Sequence, residues 1–495
     1  MRMAPQHHTR PAVVVSKKGR TIVKHFDLIV IGSGAGMNVA ANAASNDMSV
    51  AVIDRGPLGG TCLNRGCIPS KIMLYPADVV RSIEEAEALG IHARIERVDY
   101  AAIMKRTWDL VLEDRQQMEH GVAHSDQIAF YNSEASFVTD YTLEVGGEQI
   151  AADTIVIASG ARPHVPPVQG LDEIGYLTSA TVFDLAAPPE SLVIVGGGYI
   201  AAEFAHFFSA VGTRVTVVGR NPRIVPGEEP EISAMLAERM ARYAEVHTGY
   251  EAVHAEARDG LKTIIARSGR DGQERAFAGH EVLVAAGRRS NADLLQPERT
   301  GVETDARGWI VVDPTLQTSK KGIWALGDAL GKHMFRHTAN YHASLVWNNA
   351  FGGHKHRVDE HAVPHAVFTH PQVASVGLTE AQAQAEHEIL VGINPYINTA
   401  KGYAMGEEDG FAKVVVEQGT SRILGAHVIG PHAAILVPPL VYLMNAGDQD
   451  YMPLARAQTI HPALSEVVIG AFGNLRPVDA HAHHHDPEQH HGHDH

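Results

Sequence analysis

Two glycine-rich turns, each led into by an unbroken apolar run, constrain this chain more than any other feature. The first run is FDLIVI at residues 26–31, followed by Gly32-Ser33-Gly34-Ala35-Gly36-Met37 and an alanine-rich stretch at 39–44. A continuous apolar run of that length suits a parallel strand buried on both faces. A second strand at 49–53 then ends at Asp54. Strand, glycine turn, helix, strand and terminal acid, in that order, predict a dinucleotide-binding unit, where a lone GxGxxG would be weak. Gly32, Gly34 and Gly36 let backbone N–H groups approach a pyrophosphate at the helix N-terminus, and Asp54 is placed to accept from a ribose hydroxyl. Met37 stands at the third glycine position of the fingerprint, so helix–strand packing there is expected to differ.

The pattern recurs at 191–195, then Gly196-Gly197-Gly198-Tyr199-Ile200-Ala201, a helix carrying Glu203, and a strand at 214–218. This strand ends at Gly219-Arg220, not at an acid. An acid would repel a 2′-phosphate, whereas Arg220, helped by Arg223, could bind one, which favours NADPH over NADH. The alternative is that both arginines are solvated surface charges. Short buried strands return between 287 and 354, notably 322–326 ahead of Gly327-Asp328. From about residue 363 the pattern becomes strands at 366–368, 411–416 and 423–428 and an amphipathic helix at 435–444. The fold class expected is therefore α/β, with two Rossmann-like dinucleotide-binding domains and a C-terminal α+β domain.

Length and charge limit the function classes. At 495 residues with 45% hydrophobic residues the chain is multi-domain and globular. Its formal net charge of −16 disfavours nucleic acid and anionic membrane surfaces as partners. No apolar run approaches the roughly 18–20 residues that span a bilayer. The first 24 residues are basic and lack a signal-peptide core, which reads as a disordered leader on a cytoplasmic enzyme. Residues 481–495 hold eight histidines among acids and are expected to be disordered. Such a tail could bind Zn²⁺, Ni²⁺ or Cu²⁺ loosely.

Only two cysteines occur, Cys62 and Cys67, within GGTCLNRGCIPSK at 59–71. They can close a small-loop disulfide, with Gly60 and Gly66 giving the backbone freedom for it. Pro69 suits a first helical turn and puts Cys67 just before a helix N-terminus, where a thiolate is stabilised. A structural disulfide is the plainer alternative, but one pair in so long a chain points to a redox-active pair.

These motifs, together with Ala158-Ser159-Gly160-Ala161-Arg162-Pro163, Ala286-Gly287-Arg288, TSKKGIWALGDA containing Asp328, and HPALSE at 461–466, resemble the flavin- and pyridine-nucleotide-dependent disulfide oxidoreductases. That group contains dihydrolipoamide dehydrogenase, glutathione reductase, mycothione reductase and mercuric reductase. The resemblance implies an FAD-binding domain at 25–165 and 290–358, an NAD(P)-binding domain at 166–289 and a dimerisation domain at 359–475. The leader at 1–24 and the tail at 476–495 lie outside these. It implies that Gly32, Gly34, Gly36 and Asp54 hold the adenosine and pyrophosphate of FAD, with Ser159, Gly160 and Asp328 also at the flavin cofactor. Lys71 and Glu203 would form an ion pair beside the flavin ring. Gly196, Gly198, Arg220 and Gly287 would serve NADPH or NAD(H).

The chemistry of the residues agrees. A nicotinamide gives up hydride and a disulfide is opened by thiolates, and a flavin mediates between the two. Cys67 is expected nearer the flavin as a thiolate, and Cys62 is then the interchange thiol. His461 protonates the leaving thiolate, oriented by Glu466. Mercuric reductase and the large thioredoxin reductases use a further cysteine or selenocysteine pair near the C-terminus, and this chain has none. The substrate disulfide must then reach Cys62 itself, as a small molecule or a lipoyl arm. The redox motif and HPALSE resemble dihydrolipoamide dehydrogenase, which is the leading expectation. Lys401-Gly402-Tyr403-Ala404-Met405, the stretch 455–464 and Gly219-Arg220 resemble mycothione reductase, so an NADPH-dependent reductase of a low-molecular-weight disulfide is the alternative. A non-catalytic complex component or a metal buffer is the remote third, against which intact Cys62, Cys67, His461 and Glu466 speak.

Overall fold

The structure is a computed structural model, and it describes residues 13–14 and 23–478. The histidine-rich tail and most of the basic leader lie outside the described residues. The chain divides into two compact units. One holds the described residues up to Glu87 with His92–Val225 and Met240–Glu360; the other holds Ala88–Ile91, Pro226–Arg239 and the described residues from His361 onward.

The larger unit contains two sheets whose central strands are parallel and arranged in the same way. The first is mixed: Ile128–Tyr131, Val50–Ile53, Val23–Ile31, Glu148–Ile157 and Ile323–Ala325 are parallel neighbours, while Thr142–Val145 and Ala135–Thr139 continue it antiparallel from Glu148–Ile157. Leu28, Ile29 and Val30 are wholly buried, which is why this run carries no polar alternation. Each such side chain contributes about 1.5–3 kcal/mol by leaving water. In the second sheet the order is Glu245–Thr248, Arg214–Gly219, Ser191–Val195, Glu281–Val284 and Leu177–Thr178, again parallel. Ile31 pairs with Ile53 and Ile157, and Val195 with Val218 and Val284. Each glycine turn therefore opens at the carboxyl ends of three adjacent strands, where open α/β sheets bind ligands.

The smaller unit is an antiparallel sheet in the order Pro364–Val367, Val373–Gly377, Ile423–Ile429, Phe411–Glu417, Ile389–Pro395 and Arg476–Pro477, with the helix Ser465–Gly473 packed on it. The amphipathic helix expected at 435–444 is two short helices, Ala433–Leu436 and Pro438–Met444. Pro438 and Pro439 lack the N–H groups that would continue one helix into the next, so the second restarts with proline in its first turn.

The segment Pro226–Arg239 belongs with this smaller unit, although it follows directly on the strand Arg214–Gly219 of the larger one. Charge holds it there. Lys413, with its side chain 2% exposed, is ion-paired to Glu229 at 3.1 Å, to Glu380 at 2.7 Å and to Glu231. Burial works against its charge, but the carboxylates overcome this and leave its pKa raised. Glu228 accepts from Ser375 Oγ at 2.6 Å and pairs with His365 Nε2. Breaking a buried pair costs about 3–5 kcal/mol because the remaining charge is stranded. Lys413→Met, which strands three carboxylates, should destabilise the protein by that amount in urea denaturation. Glu231→Gln should cost below ~1 kcal/mol, because Glu231 is 37% exposed and its charge is screened. Equal losses would show that Lys413 contributes only packing.

Candidate active site

The cysteine segment is two helices separated by one glycine. Gly59 and Gly60 have φ of 102° and 63°, and they start the short helix Gly60–Arg65 that carries Cys62. Gly66 breaks it, and Cys67 is the first residue of the helix Cys67–Glu85. Between the cysteines, the Asn64 side chain is buried and donates to the carbonyls of Pro57, Leu58 and Gly60 at 3.2, 2.9 and 2.9 Å. Arg115 Nε donates to Asn64 Oδ1 at 2.9 Å. This clamp holds the loop, and sequence reasoning missed it because an asparagine between two cysteines carries no distinctive signal.

Cys62 and Cys67 are not bonded to each other in this structure. They differ sharply in acidity. Cys67 is lowered to about 7, first by the hydrogen bond it shares with Cys62 and then, against the effect of burial, by Lys71 and Arg336. The same hydrogen bond, with burial, pushes Cys62 up. Of the two, Cys67 is the sulfur favoured as the thiolate. The helix N-terminus at Cys67 favours the same distribution.

Lys71 lies one helical turn beyond Cys67 and its Nζ meets Glu203 at 2.9 and 2.7 Å. Glu203, 9% exposed, comes from the helix Tyr199–Ala210 that follows the second glycine turn. The expected Lys71–Glu203 ion pair is thus present, and it ties the cysteine helix to the helix Tyr199–Ala210. Tyr199 begins that helix and interacts electrostatically with Cys67, Glu203, Arg288 and Asp328.

The first glycine turn is a cradle of the right shape for a dinucleotide. A Cβ on Gly32, whose φ is 108°, would lie 2.1 Å from the Ala158 carbonyl oxygen. One on Gly60 would lie 2.8 Å from Gly34 Cα, whereas one on Gly34 would meet nothing nearer than 3.9 Å. The space above Gly34 is therefore open while its backbone is pressed from behind. Ser159 Oγ is buried without a hydrogen-bond partner, and so is Arg288 Nε, which lies 3.6 Å from Asp328. Burial pushes Asp328 up, against Arg288. The buried Ser159 Oγ, left without a partner beside an open glycine turn, fits a polar ligand such as FAD. Asp54 is partly occupied: Oδ2 accepts from Ser33 N and Oγ at 2.8 and 2.6 Å, and Oδ1 from Gly56 N at 2.9 Å. Gly160, next to Ser159, has a φ of 65°.

Met37 does not loosen the turn. The close contact falls on Gly36, the first residue of the helix Gly36–Ala44, where a Cβ would lie 2.7 Å from Val30 Cγ1 and 2.9 Å from Ala158 Cβ. Met37 packs against the core, partly buried.

The second turn repeats the device. A Cβ on Gly196, with φ of 141°, would lie 2.3 Å from the Ala285 carbonyl oxygen, and those on Gly198 and Gly287 would meet nothing within 4 Å. Arg220 and Arg223 are exposed. Neither has a hydrogen bond or ion pair among the described residues.

His461 and Glu466 lie in the smaller unit. His461 Nδ1 donates to Glu466 Oε1 at 2.9 Å, and Glu466 Oε2 accepts from Ala463 N at 3.0 Å. The Ala463 amide, and then His461, hold Glu466 below the usual carboxylate range. That fixes the imidazole with Nε2 free for chemistry, and His461 is 69% exposed. Among the described residues no helix is long and apolar enough to cross a membrane. The cluster of Glu229, Glu231 and Glu380 that could hold a metal already surrounds the Lys413 ammonium.

Comparison with known proteins gives one consistent answer. Residues 26–343 match the family described as pyridine nucleotide-disulphide oxidoreductase, and residues 363–471 match its dimerisation domain. Mycothione reductase of Mycobacterium tuberculosis (strain H37Rv) is 37% identical over 465 residues, covering 91% of this chain and 99% of the relative. Dihydrolipoyl dehydrogenase of Chlamydia trachomatis is 35% identical over 453 residues, covering 89% and 95%. The HOCl-induced flavoprotein disulfide reductase RclA of Escherichia coli, in its Cu(II) complex, superposes with a TM-score of 0.81 at 27% identity, covering 91% of this chain and 99% of that one. The chain belongs to the pyridine nucleotide-disulphide oxidoreductase family, whose members use FAD and NAD(P)H, and it is a flavoprotein oxidoreductase.

The two turn glycines separate folding from cofactor binding. Gly32→Ala should destabilise the fold by at least ~1–3 kcal/mol through its strained φ, before counting the clash with Ala158. Gly34→Ala should leave the urea midpoint close to wild type and yet weaken FAD binding, read as recovery of free flavin fluorescence. Unchanged FAD affinity in Gly34→Ala would mean that the pyrophosphate does not cross this turn.

Proposed function

We propose that this member of the family is an NADPH-dependent reductase of the disulfide of a low-molecular-weight thiol, of the mycothione class, acting as a homodimer. The observation that carries the choice is the end of the strand Arg214–Gly219. It closes on a glycine, with no acid to grip a 2′-hydroxyl, and beside it stand the exposed Arg220 and Arg223. Similarity to mycothione reductase over nearly the whole chain supports the same reading. Dihydrolipoyl dehydrogenase is the second reading, supported by GGTCLNRGCIPSK and by a relative of that name.

Gly32, Gly34, Gly36, Asp54, Ser159, Gly160 and Asp328 would hold FAD, with the Lys71–Glu203 ion pair beside its ring, and Gly196, Gly198, Arg220 and Gly287 would serve the nicotinamide nucleotide. Bound FAD supplies the two-electron link by which NADPH restores the dithiol. The rest falls to the chain's own groups. Cys62 keeps its proton because its pKa is pushed up, so it needs a base in order to attack. By family resemblance that base is Nε2 of His461 from the partner subunit, which takes the Cys62 proton as the sulfur attacks the substrate disulfide. The substrate S–S bond breaks, a mixed disulfide forms, and the departing thiolate receives the proton from His461. The Cys67 thiolate then attacks the Cys62 sulfur, closing the Cys62–Cys67 disulfide and releasing the second product as a thiolate, which takes its proton from solvent. Glu466 holds the imidazole in the tautomer that accepts at Nε2 and stabilises its charged form.

His461→Gln should slow disulfide reduction by about 10²–10⁴, the usual worth of general acid–base catalysis. Flavin reduction by the nucleotide, followed in a single turnover, should stay near wild type. Full disulfide turnover in this variant would remove His461 from the mechanism.

A charge-assisted contact contributes roughly 1.5–3 kcal/mol, tenfold or more in affinity. Arg220→Ala should therefore raise the KM for NADPH about tenfold with little effect on NADH. Wild-type rates with NADPH and NADH against mycothione disulfide, glutathione disulfide and lipoamide test the reading as a whole. NADPH with the small-thiol disulfide should be fastest. Strong preference for NADH with lipoamide would sink it in favour of the dihydrolipoyl dehydrogenase reading.

A further inference from the structure

One cation at the dithiol is not accounted for by any of the roles above. Arg336 is the first residue of the helix Arg336–Phe351, which packs on the helix Gly36–Ala44 through Asn38 Nδ2 donating to Asn340 Oδ1 at 3.2 Å. Its guanidinium Nη1 lies 3.9 Å from where a Cβ on Gly34 would stand. Gly34 in turn abuts Gly60, the first residue of the helix that bears Cys62. Arg336 thus sits across the open side of the first glycine turn and next to the cysteine segment. It is half-buried, and among the described residues its guanidinium has no hydrogen bond or ion pair with a protein carboxylate. Guanidinium groups placed over a turn that admits phosphate, without a protein anion of their own, are built to meet an external one.

We infer that Arg336 is a positioning residue for two negative charges, the pyrophosphate of the dinucleotide crossing Gly34 and the thiolate of the reduced cysteine pair. The inference rests on the reading of the site given above. Arg336 acts electrostatically on both sulfurs, favouring the ionised form of each. The other groups facing Cys67 are Cys62 from the preceding short helix, Lys71 from its own helix and Tyr199 from the nucleotide helix. Lys71 is neutralised by Glu203 at 2.7 Å, and Tyr199 is in turn influenced by Glu203, Arg288 and Asp328. Of the two cations that act on Cys67, Lys71 and Arg336, Arg336 is therefore the one whose charge is not already matched by a protein carboxylate among the described residues. A cation shared between phosphate and thiolate would couple cofactor retention to the acidity of the redox pair.

The test uses full-length holoenzyme with Arg336→Gln and Arg336→Lys. The first readout is the pH midpoint of the long-wavelength absorbance that a thiolate beside bound flavin gives in the reduced protein. The second is FAD affinity, from recovery of flavin fluorescence on dilution. Arg336→Gln should move the midpoint up by roughly one pH unit, the effect of removing a nearby opposite charge, and weaken FAD binding roughly tenfold. Arg336→Lys should restore most of the midpoint and less of the FAD affinity, since an ammonium lacks the fork that grips phosphate. Either readout unchanged in Arg336→Gln, with wild type showing the absorbance, overturns the inference alone. Wild-type protein without any such absorbance overturns the reading of the dithiol and the inference with it.

Discussion

The interaction between two neighbouring thiols sets which of them bears the negative charge of this site, and the surrounding structure keeps those two sulfurs together. By holding the Cys62 proton and releasing that of Cys67 to a pKa of about 7, it gives two chemically equal side chains different tasks. The geometry needs support from several directions. Gly59 and Gly60 let the chain turn tightly ahead of the cysteines, and Asn64, between them, pins the carbonyls of Pro57, Leu58 and Gly60 just before Cys62. Lys71, one turn along the same helix, is held by Glu203 from the second nucleotide fold. The sulfur that takes up charge, the cation that stabilises it and the helix Tyr199–Ala210 are thus mechanically linked.

The two nucleotide folds use one device twice. In each, a glycine at positive φ, Gly32 or Gly196, presses against the carbonyl of an alanine at the end of a neighbouring strand, Ala158 or Ala285. Any side chain would collide there, so the backbone passes close beneath an open space. The difference lies at the end of the second strand. Asp54 closes the first fold with a carboxylate that is already engaged by Ser33 and Gly56. Gly219 closes the second with none and leaves Arg220 in its place. The two copies thus differ in one short segment, which on the proposed reading suits each to a different nucleotide.

Much of this was legible in the residues because parallel strands and phosphate turns leave strong local marks. FDLIVI, the glycine turns, the cysteine spacing and HPALSE each carry their signal within about a dozen residues. What the sequence concealed depends on contacts distant along the chain. Met37 suggested disturbed packing at the third glycine position, but the tight contact belongs to Gly36 against Val30 and Ala158. Residues 435–444 have helical periodicity, and only the missing N–H groups of Pro438 and Pro439 split them. Nothing local marks Pro226–Arg239 as part of the smaller unit, because the partners of Glu228 and Glu229 lie more than a hundred residues away at His365, Ser375 and Lys413. Arg336 was invisible for the same reason, being an ordinary arginine until the fold brings it over Gly34.

The assignment of the two sulfurs carries the most weight and is open to direct measurement. Full-length Cys62→Ser and Cys67→Ser proteins, purified with flavin bound, would be compared by visible absorbance at neutral pH without added reductant. In Cys62→Ser the remaining sulfur cannot be tied in the disulfide and keeps a hydroxyl neighbour to donate to it. A long-wavelength band from Cys67 thiolate beside the flavin is expected there and should be absent from Cys67→Ser. The band appearing in Cys67→Ser and missing from Cys62→Ser would reverse the roles of the two cysteines and contradict the mechanism built on them.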